Sequence, residues 1–143
     1  MSRLVFLVLM LSCSAHATEA HWCNLPQPHP IDARYARAME QSGGVTVVMH
    51  DAVAEAYDGW DAALNRLYRD VMRGFGKDAR ATALREAQRA WLAWDKAETR
   101  SDLVQQGDGG SAGPLTVTGL AMQRRRDRAC ALHGMREGDA APD

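Results

Sequence analysis

The sequence predicts an all-α antiparallel helical bundle, two long helices with two shorter ones packed on them, in a chain of 143 residues. Three observations predict it. Apolar residues recur at helical spacing over two long stretches. Glycine- and proline-rich segments separate those stretches. No segment alternates polar and apolar residues for long enough to form a strand. With 46% hydrophobic and 24% charged residues, the composition is that of a globular domain and excludes wholesale disorder. A formal net charge of −1 lacks the basic excess that a general nucleic-acid binder needs to neutralise phosphates.

The N-terminal segment, residues 1–17, reads as a signal peptide. Arg3 precedes the apolar run from Leu4 to Leu11, and Ala15-His16-Ala17 offers small residues for cleavage before Thr18. The run is too short to span a bilayer comfortably, which argues against a channel or transporter. A lipoprotein signal at Cys13 is the alternative, but Met10 stands where such signals usually carry leucine. Export to a bacterial periplasm is the expectation. Cleavage leaves 16 basic and 18 acidic groups, a net charge of −2, and two cysteines, Cys23 and Cys130. In an oxidising compartment that even pair is expected to be bridged. Such a bridge closes a loop of about a hundred residues, worth up to roughly 4–5 kcal/mol by chain entropy. The competing reading is zinc ligation by His21, Cys23, His29, Cys130 and His133, although their spacing fits no finger or ribbon.

Residues 18–143 then form one domain. Pro26, Pro28 and Pro30 favour an extended lead-in. A short helix, Asp32 to Gln41, draws its propensity from Ala33, Ala36 and Ala38 and breaks at Ser42-Gly43-Gly44. From Thr46 to Phe75 apolar residues recur at Met49, Val53, Ala56, Trp60, Leu64, Leu67, Val71 and Phe75, one face of a helix about eight turns long. Thr46 is a candidate cap, Gly59 permits a bend, and Gly74 and Gly76 mark the end. A third helix from Asp78 to Gln106 carries a stripe at Leu84, Ala87, Gln88, Trp91, Trp94 and Glu98. Residues 107–114 read as a flexible glycine loop. A last helix, Leu115 to Leu132, has a weaker stripe at Leu115, Met122 and Ala129, and a frayed tail follows Gly138.

Residue patterns for chemistry are sparse. The glycine loop lacks the Lys-Ser/Thr of a phosphate-binding loop, and no nucleophile elbow or His-Glu-x-x-His helix occurs. His50 and Asp51 are adjacent on a helix and so do not face each other, which makes His50 a solvated residue. No catalytic, cofactor or metal residue is therefore assigned. Asp51, Glu55 and Asp58 share a hydrophilic face, chiefly a solvated one, with an acidic docking patch as the functional reading. Arg124, Arg125, Arg126 and Arg128 cannot share one face and are expected on an exposed helix. Trp60, Trp91 and Trp94 are expected as core anchors. Gln88, inside an apolar stripe, needs hydrogen-bond partners, and Asn65 or Tyr68 across the interface could satisfy it.

Two sequence words, Trp60-Asp61-x-x-Leu64-Asn65-x-x-Tyr68 and Leu84-Arg85-x-Ala87-Gln88-Arg89-x-Trp91-Leu92, occur in order, with the Gly43-Gly44 turn and a glycine loop near Gly109. Over about residues 31–132 this set resembles the LprI-like family of small exported helical proteins, named for a lysozyme-inhibiting lipoprotein. The chain departs from that family at Ala52, Thr99 and about Thr118, where members usually carry cysteines. At Asp95-Lys96 the usual Arg-Asp order is reversed. The resemblance implies a protein without catalytic apparatus that binds and inhibits a cell-wall-degrading hydrolase, or an immunity protein against a secreted effector. Asp108 and Ser111 in the glycine loop are candidates for insertion into a cleft, and Asp51, Glu55 and Asp58 for steering a basic enzyme. A non-inhibitory envelope assembly factor is the alternative.

Overall fold

The computed structural model describes residues 21–140, with side chains through Gly138. The expected signal segment 1–17 and the alternative lipidation residue Cys13 lie outside the described residues, as does the end of the tail at 141–143. A one-turn 3-10 helix, Trp22–Asn24, leads into four α-helices: α1 Pro30–Gln41, α2 Thr46–Phe75, α3 Ala79–Gln105 and α4 Ala112–Ala140. The all-α expectation holds. The last helix is longer than its sequence stripe implied, beginning three residues before Leu115 and running eight beyond Leu132.

Each helix end has a local cause. The His29 ring caps α1 by accepting the Ile31 N–H on Nδ1 at 3.2 Å, and Pro30 occupies the first helical position, where no N–H is needed. Gly43 and Gly44 adopt positive φ to turn the chain from α1 into α2. Thr46 is the first residue of α2, not its cap; Val45 takes the cap position without a side-chain bond. Gly76, at φ +60°, stops α2. Asp78 caps α3 through Oδ1, which accepts the N–H groups of Arg80 at 2.7 Å and Ala81 at 3.3 Å.

Sequential helices are antiparallel, so α2 and α4 run parallel, with Gly119 against Val53 and Arg125 bonded to Asp61. These two share the most extensive interface. The predicted α2 stripe is the core: Val53, Ala56, Trp60, Leu64 and Val71 are buried, and Met49, Leu67 and Phe75 are partly so. From α4, Met122, Ala129 and Leu132 join them. α1 crosses α2 at Gly59, where a Cβ would stand 3.4 Å from three carbons of Ile31. Close approach of α1 is thus what this glycine permits. Trp22 inserts from the lead-in beside Trp60 and donates its indole N–H to the Arg126 carbonyl at 3.0 Å. Next to it Cys23 is disulfide-bonded to Cys130, 107 residues away. That bond consumes both sulfurs that the zinc reading requires.

The face that α3 turns inward matches expectation at Leu84, Gln88, Trp91 and Glu98 and departs from it elsewhere. Ala87 is exposed and Trp94 is 48% exposed, whereas Asp95 and Asp102 are buried. The physical reason lies in α4. Arg124, Arg125, Arg126 and Arg128 are largely covered rather than solvated, and each has its own set of carboxylate or amide partners, with Asp95 shared by Arg124 and Arg125. Successive helical residues diverge by about 100°, so one short arginine run reaches α3, α2 and α1 together. Arg126 bonds Asp32 of α1 at 3.0 Å, and Asp32 also accepts the Trp60 indole N–H at 3.1 Å. Arg125 bonds Asp61 of α2 at 3.1 Å and Asp95 of α3 at 3.0 Å, with its guanidinium 4.2 Å from the centre of the Tyr57 ring.

Candidate partner-binding surface

Arg124 fixes the lower half of α3. Its Nε donates to Asp95 at 2.7 Å, Nη1 to Asp102 at 2.7 Å and Nη2 to the Thr99 hydroxyl at 2.9 Å. Burial pulls the pKa of this guanidinium down, but the bonds to Asp95 and Asp102 outweigh it and hold it above the ordinary arginine value. One turn along, Arg128 has no carboxylate. Its Nε donates to Gln88 at 2.9 Å, Nη2 is buried without a partner, and burial alone lowers its pKa. Gln88 is thus satisfied from α4, not by Asn65 or Tyr68. Asn65 donates to Asp61 one turn back at 3.0 Å, and Tyr68 packs against the core.

Anchored by Asp102, α3 ends at Gln105 and the glycine loop begins. It is a folded turn rather than an open tether. Gln106 donates to the Asp102 carbonyl at 2.8 Å and accepts from Gly109 N–H at 2.9 Å. A Cβ on Gly113 would lie 2.5 Å from the Gln106 oxygen, and one on Gly109 would lie 3.2 Å from Gly113 Cα. The backbone strands of the turn touch each other, and only glycine allows it. Asp108 and Ser111 are both exposed on this turn.

The loop shares its end of the bundle with the start of α2, because α2 and α4 are parallel. Six of the ten exposed large apolar side chains among the described residues are found here: Val45, Val47, Val48, Leu103, Val104 and Leu120. Val104 is 83% and Val47 65% exposed. Asp51, Glu55 and Asp58 are exposed along α2, rising from this end, and Glu55 lies 3.9 Å from Arg34. His50 is half-buried. The structure therefore places Asp108, Ser111 and Asp51 at one end of the molecule, with Glu55 and Asp58 farther up the same helix. Sequence reading missed the apolar collar around them.

This is the anatomy of a rigid helical scaffold that offers one apolar, acid-flanked end. Among the described residues no group of three or more His, Cys, Asp or Glu is arranged to hold a metal, and no helix is long and apolar enough to cross a membrane. A family model described as lysozyme inhibitor LprI matches residues 36–132, and the chain belongs to that family. It is a family of exported inhibitors rather than enzymes. No curated protein and no solved structure matches the chain.

Proposed function

We propose that the mature chain, freed of residues 1–17, works in the periplasm by binding and blocking a cell-wall-degrading hydrolase, either as a lysozyme-type inhibitor or as an immunity protein against a secreted effector. Membership of the inhibitor family over residues 36–132 carries this reading. An inhibitor of this kind has no catalytic work of its own. It needs a rigid exposed element that fills or covers the enzyme cleft at little ordering cost. The glycine turn held by Arg124 and Asp102 is such an element, with Asp108 and Ser111 as its polar contacts. Asp51, Glu55 and Asp58 contribute attraction at longer range.

The test is to mix the purified mature protein with a panel of muramidases and peptidoglycan amidases and to measure both hydrolysis and binding. Stoichiometric loss of activity in at least one of them is expected. Full activity throughout, with no complex at micromolar concentrations, would overturn the proposal.

A further inference from the structure

The buried stripe of α3, which includes Leu84, Gln88, Asp95 and Asp102, leaves most of the helix circumference open to solvent. Round the helix from it, Arg85, Arg89, Leu92, Lys96, Arg100 and Leu103 follow one another at gaps of 4, 3, 4, 4 and 3. That spacing keeps all six side chains on one face. All six are exposed, Leu92 by 50% and Leu103 by 55%. At the rise of an α-helix the row is about 27 Å long. It carries four cations and no carboxylate. Asp95 and Asp102 are bonded to Arg124, Glu98 is half-buried, and Glu86 stands roughly a quarter turn away from the row. Among the described residues none of the four cations is ion-paired. Several exposed arginines elsewhere do face a carboxylate, as in Arg34–Glu55, Arg73–Asp70 and Arg136–Glu137. A nearly neutral composition hides this concentration of one sign.

We propose that this row docks α3 on an anionic lipid bilayer, with Arg85, Arg89, Lys96 and Arg100 against headgroup phosphates and Leu92 and Leu103 in the boundary with the acyl chains. The charge of the row selects an anionic occupant. The two leucines select among anionic occupants. A face that is merely solvated gains nothing from them, and a soluble polyanion takes the cations but leaves the leucines in water. A lipid surface takes both, as it does with amphipathic helices that lie along it. Arginine and lysine suit such a boundary, because their apolar stems lie along it while their heads stay with the phosphates. Each cation near an anionic bilayer raises partitioning by a factor of about five. The proposal is independent of enzyme inhibition and adds to it a surface on which the chain is held.

The experiment sediments the mature protein, residues 18–143, with vesicles of phosphatidylcholine alone or mixed with phosphatidylglycerol, and measures binding to soluble long-chain polyphosphate alongside. The wild type is expected on the anionic vesicles only, less so as salt rises. Arg89→Gln/Lys96→Gln should lower that partitioning at least about tenfold. Leu92→Ser/Leu103→Ser should weaken vesicle binding and leave polyphosphate binding unchanged. Two controls should bind vesicles as the wild type does. Arg66→Gln/Arg69→Gln makes the same charge change at exposed sites on α2, and Trp94→Ser removes an exposed apolar side chain roughly half a turn round α3 from the row. Circular dichroism checks that each variant keeps its helicity. Equal binding to both kinds of vesicle, or a control that loses as much as the row variants, would overturn the row as the docking face. Tighter binding to polyphosphate than to anionic vesicles, or a leucine pair that binds vesicles like the wild type, would overturn the lipid occupant.

Discussion

Helix α4 meets its neighbours through two different chemistries. Toward α2 it contributes Met122, Ala129 and Leu132 to a continuous apolar cluster with Val53, Trp60 and Leu64. Toward α3 it presents Arg124, Arg125 and Arg128 to Asp95, Thr99, Asp102 and Gln88. The first interface is held by area removed from water and tolerates small shifts of register. The second is directional. A guanidinium with three bonded partners fixes both the rotation of α3 and its axial position, since sliding by one residue would break all three bonds. An apolar seam would secure α3 with less precision than its own C-terminal loop requires. The ionic side is the one beside the loop, which suits a segment that must be presented rigidly.

The largest expected effect is on the apolar side. Trp60 is fully buried, touches Trp22 and His29, and holds Asp32. Trp60→Ala should cost about 3–5 kcal/mol through lost transfer energy and the cavity left behind. It also strips one partner from Asp32. Urea unfolding followed by circular dichroism measures this, and a loss below about 1 kcal/mol would mean that the core is not centred there.

Arg124→Leu tests the ionic side, with an expected loss of about 2–3 kcal/mol. Removing one member of a buried ion pair typically costs about 3–5 kcal/mol, reduced here because the side chains keep some access to water. The two sides should then diverge on rescue. Adding Asp102→Leu to Arg124→Leu removes a stranded carboxylate and should recover part of the loss, whereas no single second substitution refills the Trp60 site. Strict additivity of the two changes would refute a coupled seam.

The same contrast decides what the sequence could reveal. For α2 the 3–4 spacing of apolar residues led to the right face and the right ends, because its inward positions are apolar in fact. For α3 the spacing predicts an inward stripe at Leu84, Ala87, Gln88, Trp91, Trp94 and Glu98, of which Ala87 and Trp94 are exposed. A better guide was present. Ala81, Leu84, Gln88, Trp91, Asp95, Glu98 and Asp102 recur at alternating gaps of three and four, a heptad stripe running straight through two aspartates. Burial of a carboxylate there is credible only once its partner is known, and Arg124 is a separate helix away. The candidate contacts had a similar fate. Asp108 and Ser111 were visible as polar residues in a glycine loop. The collar of Val45, Val47, Val48, Leu103, Val104 and Leu120 was not, because exposure of an apolar residue is a property of packing.

The smallest effect belongs to His29, where the aromatic cluster meets the end of α1. Its ring lies 4.4 Å from Trp60 and 5.0 Å from Trp22, and its Nδ1 must be unprotonated to accept the Ile31 N–H. Burial lowers its pKa below 6.5; Asp32 opposes this, while Arg126, Arg34 and Arg66 add to the lowering. With the folded value below the unfolded one, the folded state binds fewer protons as pH falls through that range. The contribution of His29 is therefore complete above about pH 6.5 and is lost progressively as pH drops from there toward the lowered folded value. Protonation also removes the cap and puts a cation at a helix N-terminus, where the dipole disfavours it. His29→Asn keeps a capping side chain without titrating. The melting temperature of the wild type should consequently fall more steeply than that of the variant between about pH 7 and pH 5. Parallel slopes would assign the acid sensitivity to another group.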